Sequence, residues 1–174
     1  MDKGFGVWLT LPASPRGLTD AGIAAVEQML AAGVELTGVN IMTMNYGESR
    51  TSSQSMAEAS KSAASFTHDQ LDIIYQRAGV NLSSSAIWSK IGLTPMIGQN
   101  DFPNEVFSTD AAEALRDYAS SKGVQRLSMW SLNRDAACPP GNGIDGPDHA
   151  CSGVEQVPGQ FARILGSGMT GRMN

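Results

Sequence analysis

The stretch GVNIMTMNYG, residues 38–47, is the most informative part of this sequence about its fold. Residues 39–42, VNIM, form an apolar and largely β-branched run, which is typical of a strand buried on both faces. The stretch then turns polar at Asn45 and Tyr46, directly before Gly47. A buried strand with a polar and aromatic tip indicates a parallel sheet whose strand ends carry a site.

Composition limits the class of protein. The 174 residues fit one domain, and 41% hydrophobic with 17% charged residues are typical of a globular chain. The net charge of -5 and the absence of any Lys/Arg cluster argue against a nucleic acid as partner. No run approaches the roughly 18 apolar residues of a membrane helix, so we expect no membrane partner. A neutral or cationic small molecule, or an uncharged polymer, suits this surface better.

The two cysteines, Cys138 and Cys151, lie in one loop-like stretch, CPPGNGIDGPDHAC. A disulfide, two free thiols and a metal site completed by His149 with an acidic side chain are all open, and the disulfide is favoured. A disulfide would imply export, but the N-terminal residues MDKGFGVWLTL lack the pattern of a signal peptide and read as direct entry into a strand. We predict neither a bound metal nor a cofactor.

Periodicity predicts four strand–helix repeats. The expected strands are residues 4–11, the opening stretch, GLTPMIG and VQRLSMWS. The expected helices start after Thr19, at Met56, after Ser108 or Thr109 and near Val157, and a short helical turn is expected at SSSAIWSKI. Strands that alternate with helices build a parallel sheet, either doubly wound or a barrel.

The ends of the strands favour the barrel. Neither GxGxxG nor GxxxxGK[ST] occurs, which argues against a nucleotide-binding sheet. Instead, polar and aromatic side chains follow the last three strands: Met44, Asn45 and Tyr46; Gln99, Asn100 and Asp101; Trp130, Asn133, Arg134 and Asp135. Such residues at the carboxyl ends of parallel strands are typical of the active face of a barrel, of which four repeats are half.

These strand ends resemble a known family. VNIMTMNYG, IGLTPMIGQND and RLSMWSLNRD are similar, in order and spacing, to the last strands of bacterial chitinases of glycoside hydrolase family 18. WLTLPASPRGLTDAGI resembles the fifth strand and its helix, and CSGVEQVPGQFARIL resembles the last helix. The resemblance implies an α/β chain whose parallel βα repeats form about half of a (β/α)8 TIM barrel, strands 5 to 8. It would occupy residues 1–166, before a flexible tail at 167–174.

The resemblance also implies a reaction. These enzymes cleave β-1,4 bonds between N-acetylglucosamine units by substrate-assisted retaining catalysis, and they are secreted. Their catalytic acid lies in a DxxDxDxE run, which this sequence lacks. The nearest look-alike, Asp145 and Asp148 with Glu155, lies in a Gly/Pro loop that would not aim a proton donor.

Site residues are implied one by one. Met42 and Met44 would line the floor under the sugar, Tyr46 the wall, and Trp130 would stack on the sugar ring. Asn45 falls at the position that orients the acetamido group, where the family usually has an aspartate. Gln99, Asn100 and Asp101 would bond sugar hydroxyls. From the residues alone, methionines in a strand are more often core, and Asn133, Arg134 and Asp135 more often stabilise a loop.

Two functions follow from the resemblance. The chain is expected to be part of a chitinase-like enzyme, inactive alone and completed by the N-terminal half of the barrel. The alternative is a non-catalytic half-barrel that binds chitin or chito-oligosaccharide, either as one copy or paired with a second copy. An unrelated parallel α/β binding protein would require all the matching segments to be coincidental.

Overall fold

We describe residues 5–139 and 146–169 from a computed structural model. The strands are β1 Val7–Ser14, β2 Gly17–Leu18, β3 Leu36–Met42, β4 Ile91–Thr94, β5 Gly98–Gln99, β6 Val106–Phe107 and β7 Arg126–Leu127. The helices are α1 Asp20–Ala31, α2 Met56–Arg77, α3 Ser84–Trp88, α4 Thr109–Lys122 and α5 Gln160–Gly166. The predicted strand start at Gly4, the residue Asp145 and positions 170–174 of the predicted tail lie outside the described residues.

The main sheet has five strands in the order β2-β1-β3-β4-β7. Strands β1, β3, β4 and β7 run parallel, and the short β2 pairs antiparallel with β1. Pro12 is level with Met42, and Met42 is level with Thr94, so the three strands end along one edge. The predicted parallel α/β arrangement is confirmed, and the polar strand tips lie together at that edge.

The two faces of the sheet differ in what covers them. On β3, Val39 and Ile41 are buried in a core formed with side chains of α1, α2 and α4. Asn40 points to the opposite face, where its Nδ2 donates to Thr94 Oγ1 at 2.7 Å and more weakly to Thr10 Oγ1 at 3.4 Å. Within the described residues, the helices therefore pack on the face of Val39 and Ile41, and the face of Asn40 carries polar groups.

Trp8 belongs to the same polar face. Its indole lies against Gly38 and Gly92, where an added Cβ would come within 2.4 Å and 3.2 Å of the ring. The guanidinium of Arg126, a residue of β7, lies 4.2 Å from the ring centroid. Because both glycines leave room for the indole, the ring extends over β3 and β4 and covers part of this face.

Helix starts follow the predicted caps. Thr19 Oγ1 accepts from Gly22 N–H at 3.2 Å, and Ser108, rather than Thr109, accepts from Ala111 N–H at 3.2 Å. The long helix begins at Met56 because Ser55 and Glu58 form a capping box, in which each side chain accepts from the other residue's backbone N–H. The serine-rich segment before it is thus the start signal of a helix.

Several boundaries differ from the predictions. β1 continues through Pro12 to Ser14, since only one side of this strand is paired at Pro12 and the missing N–H is tolerated. The fourth predicted strand is short in β7, but main-chain bonds extend its pairing to Trp130. Between β4 and α4 the chain also forms the antiparallel pair β5–β6, which was not predicted from the sequence.

The last helix begins at Gln160 rather than near Val157. Its first turn is capped by a distant residue, Asp135, whose Oδ1 accepts from Phe161 N–H at 3.0 Å and whose Oδ2 accepts from Ala162 N–H at 2.8 Å. A carboxylate at a helix N-terminus satisfies unpaired N–H groups and interacts favourably with the helix dipole. The start of α5 is therefore fixed by a tertiary contact.

Cys138 and Cys151 are joined in a disulfide, which closes the loop between β7 and α5. None of the helices in the described part of the chain is long and apolar enough to cross a membrane. Residues 5–139 and 146–169 contain no group of three or more His, Cys, Asp or Glu side chains arranged to hold a metal ion.

The difference between the two faces of the sheet can be tested by paired truncations. Ile41→Ala removes a fully buried side chain and is expected to lower the free energy of unfolding by about 2–5 kcal/mol. Thr10 lies on β1 level with Asn40, on the other face of the sheet, and Thr10→Ala is expected to cost about 1 kcal/mol or less. Urea unfolding monitored by circular dichroism measures both, and equal losses would contradict the assignment of faces.

Candidate functional site

The strand ends of β3, β4 and β7 meet around Asn45. Met96, just after β4, pairs with Trp130 in a parallel bridge, and its sulfur lies 3.9 Å from Asn45 Nδ2. Asp101, in the loop after β5, lies on another side of Asn45 and bonds to it directly. The predicted residues of three different strand ends are therefore brought to one place.

Asn45 and Asp101 form a two-bond pair. Asn45 Nδ2 donates to Asp101 Oδ2 at 2.6 Å, and Asp101 N–H donates to Asn45 Oδ1 at 2.9 Å. Asn45 has a positive φ of 50°, a left-handed conformation that asparagine adopts more readily than most residues. The amide itself is uncharged, but the exposed Asp101 carboxylate beside it gives this tip a negative charge.

Trp130 is the large aromatic residue of this edge. Its side chain is 54% exposed, and its peptide bond to Ser131 is cis. Met42 and Met44 are half-buried on the β3 tip, between the core and the surface. The exposed indole offers a flat apolar surface, the half-buried thioether groups lie on the β3 tip of the same edge, and the Asn45–Asp101 pair offers a polar, anionic group there. This combination suits a ligand with an apolar face and polar edges, such as a pyranose ring.

Two predicted hydroxyl-binding residues hold the loop instead. Asn100 is fully buried, and its Nδ2 donates to Met96 O at 2.9 Å and Gly98 O at 3.1 Å. Its Oδ1 accepts from Asn45 N–H at 3.2 Å. The Gln99 side-chain amide donates to main-chain oxygens of its own loop, including Phe102 O at 2.9 Å. Of the three predicted residues, Asp101 is the exposed one.

Tyr46 lies below the surface rather than in an exposed wall. Its side chain is buried in the core with the side chains of α2. Burial, and to a smaller extent the charge of Glu105, raises the pKa of the Tyr46 phenol well above its usual range. The phenol is therefore neutral near pH 7, and its position supports packing of the β3 tip.

Two buried charged residues, Glu105 and Arg50, were not predicted from the sequence. Glu105 Oε2 accepts from Tyr46 N–H at 3.0 Å, and Oε1 accepts from Gly47 N–H at 2.8 Å. Arg50 Nε lies 3.6 Å from Glu105 Oε1, and both side chains are almost fully buried. The sequence offered one signal of this pair. It has a single arginine in the loop after one strand and a single glutamate in the loop after the neighbouring strand, and such loops are adjacent in a parallel sheet.

The residues after Trp130 stabilise the loop, as their composition favoured. Arg134 is buried, and its Nη2 donates to Ile97 O at 2.9 Å and to Gln99 O at 2.7 Å. Burial lowers the pKa of Arg134, and the nearby carboxylates of Asp101 and Asp148 oppose that effect. Asp135 caps α5, so this cluster fastens the β7 tip to the loops on either side.

Comparison with known proteins gives a consistent family. No protein-family model matches the chain. It is 36% identical over 139 residues to Endochitinase 11 of Metarhizium anisopliae, and the alignment covers 76% of this chain and 26% of that protein. It is 34% identical over 162 residues to the probable bifunctional chitinase/lysozyme of Escherichia coli (strain K12), and the alignment covers 90% of this chain and 17% of that protein.

Similar solved structures are also chitinases. The catalytic domain of a hyperthermophilic chitinase from Pyrococcus furiosus superposes with a TM-score of 0.78 at 32% identity, over 92% of this chain and 49% of that chain. Catalytic-site mutants of active domain 2 of a thermostable chitinase from the same organism, complexed with chito-oligosaccharides, give the same values.

The fold is that of a chitinase catalytic domain, and the chain belongs to the chitinase family. It spans about a quarter or less of the two curated relatives and about half of the solved catalytic domain. The predicted family is confirmed. The bacterial subgroup stays a prediction, since the relatives come from several different organisms.

Removing Arg50 tests how strongly the buried charge pair holds the site together. Arg50→Ala leaves the Glu105 carboxylate buried without its cation and is expected to lower the free energy of unfolding by about 3–5 kcal/mol. Arg77 forms an exposed ion pair with Glu27, so the matched control Arg77→Ala is expected to cost about 1 kcal/mol or less. Chemical denaturation measures the free energy of unfolding of both variants. A loss in Arg50→Ala no larger than that in Arg77→Ala would rule out this role of the pair.

Proposed function

We propose that the chain forms strands 5 to 8, the C-terminal half, of a chitinase-like (β/α)8 barrel. Two observations support this. The chain aligns with about half of a solved chitinase catalytic domain over nearly its whole length. Its four parallel strands have helices on one face, as the outer layer of a barrel does, while Asn40, Thr94 and Trp8 occupy the face that would line the interior.

The proposed ligand is chitin or a chito-oligosaccharide. The observation that carries this proposal is the juxtaposition of the exposed Trp130 with the Asn45–Asp101 pair at one edge of the sheet. Trp130 would stack on the apolar face of a sugar ring, and Met42 and Met44 would line the floor beneath it. Asp101, directed by Asn45, would accept hydrogen bonds from the sugar's amide or hydroxyl groups.

The proposed reaction is substrate-assisted, retaining cleavage of the β-1,4 bond in the complete enzyme. This chain would orient the acetamido group, and the other half of the barrel would supply the acid of the DxxDxDxE run. Asp148 and Glu155 are exposed in the loop after β7, and Asp148 Oδ1 accepts from Ala150 N–H in its own turn. We therefore propose that the chain alone does not hydrolyse chitin.

Export of the parent enzyme is part of the proposal. The disulfide between Cys138 and Cys151 supports it, because disulfides persist in oxidising compartments.

A second candidate is a non-catalytic half-barrel that binds the same sugars, with a second copy covering the polar face. The stacked Trp8 and Arg126 on that face favour it, since a flat aromatic–cation surface is suited to contact with another protein surface. The mass of the purified chain in solution separates the two candidates. A stable, sugar-binding dimer would favour the second.

Trp130 provides the direct test of sugar binding. Trp130→Ala is expected to weaken chitotriose binding at least about tenfold, or about 1.4 kcal/mol, because the stacking surface is lost. Leu132 is 78% exposed two residues away, and Leu132→Ala is the control that should bind as the wild type does. Isothermal titration calorimetry measures both, and unchanged binding by Trp130→Ala would overturn the assignment of the stacking residue.

A hybrid barrel tests the missing half. The N-terminal half of the Pyrococcus furiosus catalytic domain, fused to this chain, is expected to cleave a fluorogenic chitobioside that neither half cleaves alone. Replacement of the donor's acidic-run glutamate by glutamine is the matched control and should abolish turnover. Cleavage by this chain alone would contradict the proposal that it lacks the acid.

A further inference from the structure

Glu105 joins two strand-end loops through a fully buried carboxylate. Its two oxygens accept from the consecutive N–H groups of Tyr46 and Gly47, at 3.0 Å and 2.8 Å. Its own main chain accepts from Asn100 N–H at 2.9 Å and donates to Phe102 O at 2.9 Å. One residue thus ties the loop after β3 to the loop between β5 and β6, on the two sides of the Asn45–Asp101 pair.

Arg50 secures this arrangement from the other side. Besides facing Glu105, its guanidinium donates to the main-chain oxygens of Asn104 at 2.8 Å, Thr51 at 3.3 Å and Gln54. The two loops also pack closely at Gly47, where the Phe102 ring lies 2.9 Å from the position that a Cβ would take. With φ at +55°, Gly47 meets both requirements, a left-handed backbone and a close neighbour.

We propose that Glu105 is a positioning residue that sets the Asn45–Asp101 pair for sugar binding. Asn45 directly precedes Tyr46, so holding the Tyr46 and Gly47 amides fixes the left-handed turn at Asn45. Asp101 lies in the loop that carries Glu105, so the same contact fixes its distance from Asn45. This inference rests on the proposed function, because it assumes that the pair contacts a sugar.

The chemistry requires a carboxylate of this length. Two adjacent N–H donors and a guanidinium together need two acceptor oxygens, which a glutamate provides. A glutamine of the same shape has one oxygen, and its NH2 group would face an N–H donor or the guanidinium. An aspartate keeps the charge opposite Arg50 but withdraws both oxygens from the Tyr46 and Gly47 amides by one methylene.

The test compares chitotriose affinity with stability. By isothermal titration calorimetry, Glu105→Gln is expected to bind chitotriose about tenfold more weakly than the wild type. Leu115→Ala, a core truncation on α4 in a segment of the chain separate from both loops, is the control for lost stability and should bind as the wild type does once folded. In the sugar-free proteins, the amide resonances of Tyr46 and Gly47 and the side-chain amide of Asn45 should shift in Glu105→Gln and not in Leu115→Ala.

Each outcome separates the two proposals. Equal affinity of the wild type and Glu105→Gln would overturn the positioning role and leave the proposed function standing. No chitotriose binding by the wild type would overturn the proposed function, and the role of Glu105 with it. If Glu105→Gln does not fold, Glu105→Asp, which keeps the partner charge of Arg50, decides in its place: weaker binding supports the role, and wild-type binding overturns it.

Discussion

The structure depends on one constraint, that the parallel sheet buries one of its faces under helices. Along β3 the side chains alternate, so Val39 and Ile41 enter the helical core while Asn40 points to the other face. Parallel strands in level register then bring all the carboxyl ends to one edge. The core thus fixes where the strand tips lie, and the tips carry the residues that we assign to a sugar site. Burial of apolar surface on the helical face provides the stability that holds this edge in place.

The strand tips are held together by hydrogen bonds to the main chain. Glu105 and Asn100 each bond to backbone groups of the β3 tip, and Arg134 bonds to backbone oxygens after β4. Such contacts leave little freedom for the loops, because each bond lost would leave a buried polar group unpaired. Among the residues that we assign to the sugar site, Trp130 and Asp101 are the ones exposed to solvent. A rigid support under a few exposed groups is the general requirement for a preorganised binding site.

Much of the fold follows from the sequence. The caps Thr19 and Ser108, the long helix after the serine-rich segment and the parallel order of the strands were all predicted from local patterns, because each depends on neighbours in sequence. The start of α5 was not, since its cap, Asp135, lies 26 residues away from Phe161 in the chain. The antiparallel pair β5–β6 was not predicted either, because each strand has only two residues and leaves no periodic pattern.

The site was predicted in its location more than in its roles. The family resemblance pointed to strand ends that lie together in the structure, but it could not tell an exposed polar residue from a buried one. Asn100 and Asp101 are adjacent and both polar, yet one is fully buried and the other exposed. Glu105 was missed because it bonds mainly to backbone N–H groups, and its signal in the sequence was limited to a single glutamate in the loop beside that of Arg50.

We propose that the edge formed by the tips of β3, β4 and β7 binds chito-oligosaccharide. This binding can be tested by titrating the isotope-labelled chain with chitotriose and following the amide chemical shifts. We expect saturable shifts concentrated in residues 42–47, 99–102 and 130–133, with the outward faces of α1, α2 and α4 unchanged. Shifts confined to those helices would contradict binding at this edge. So would the absence of any shift at a chitotriose concentration that saturates a reference chitinase.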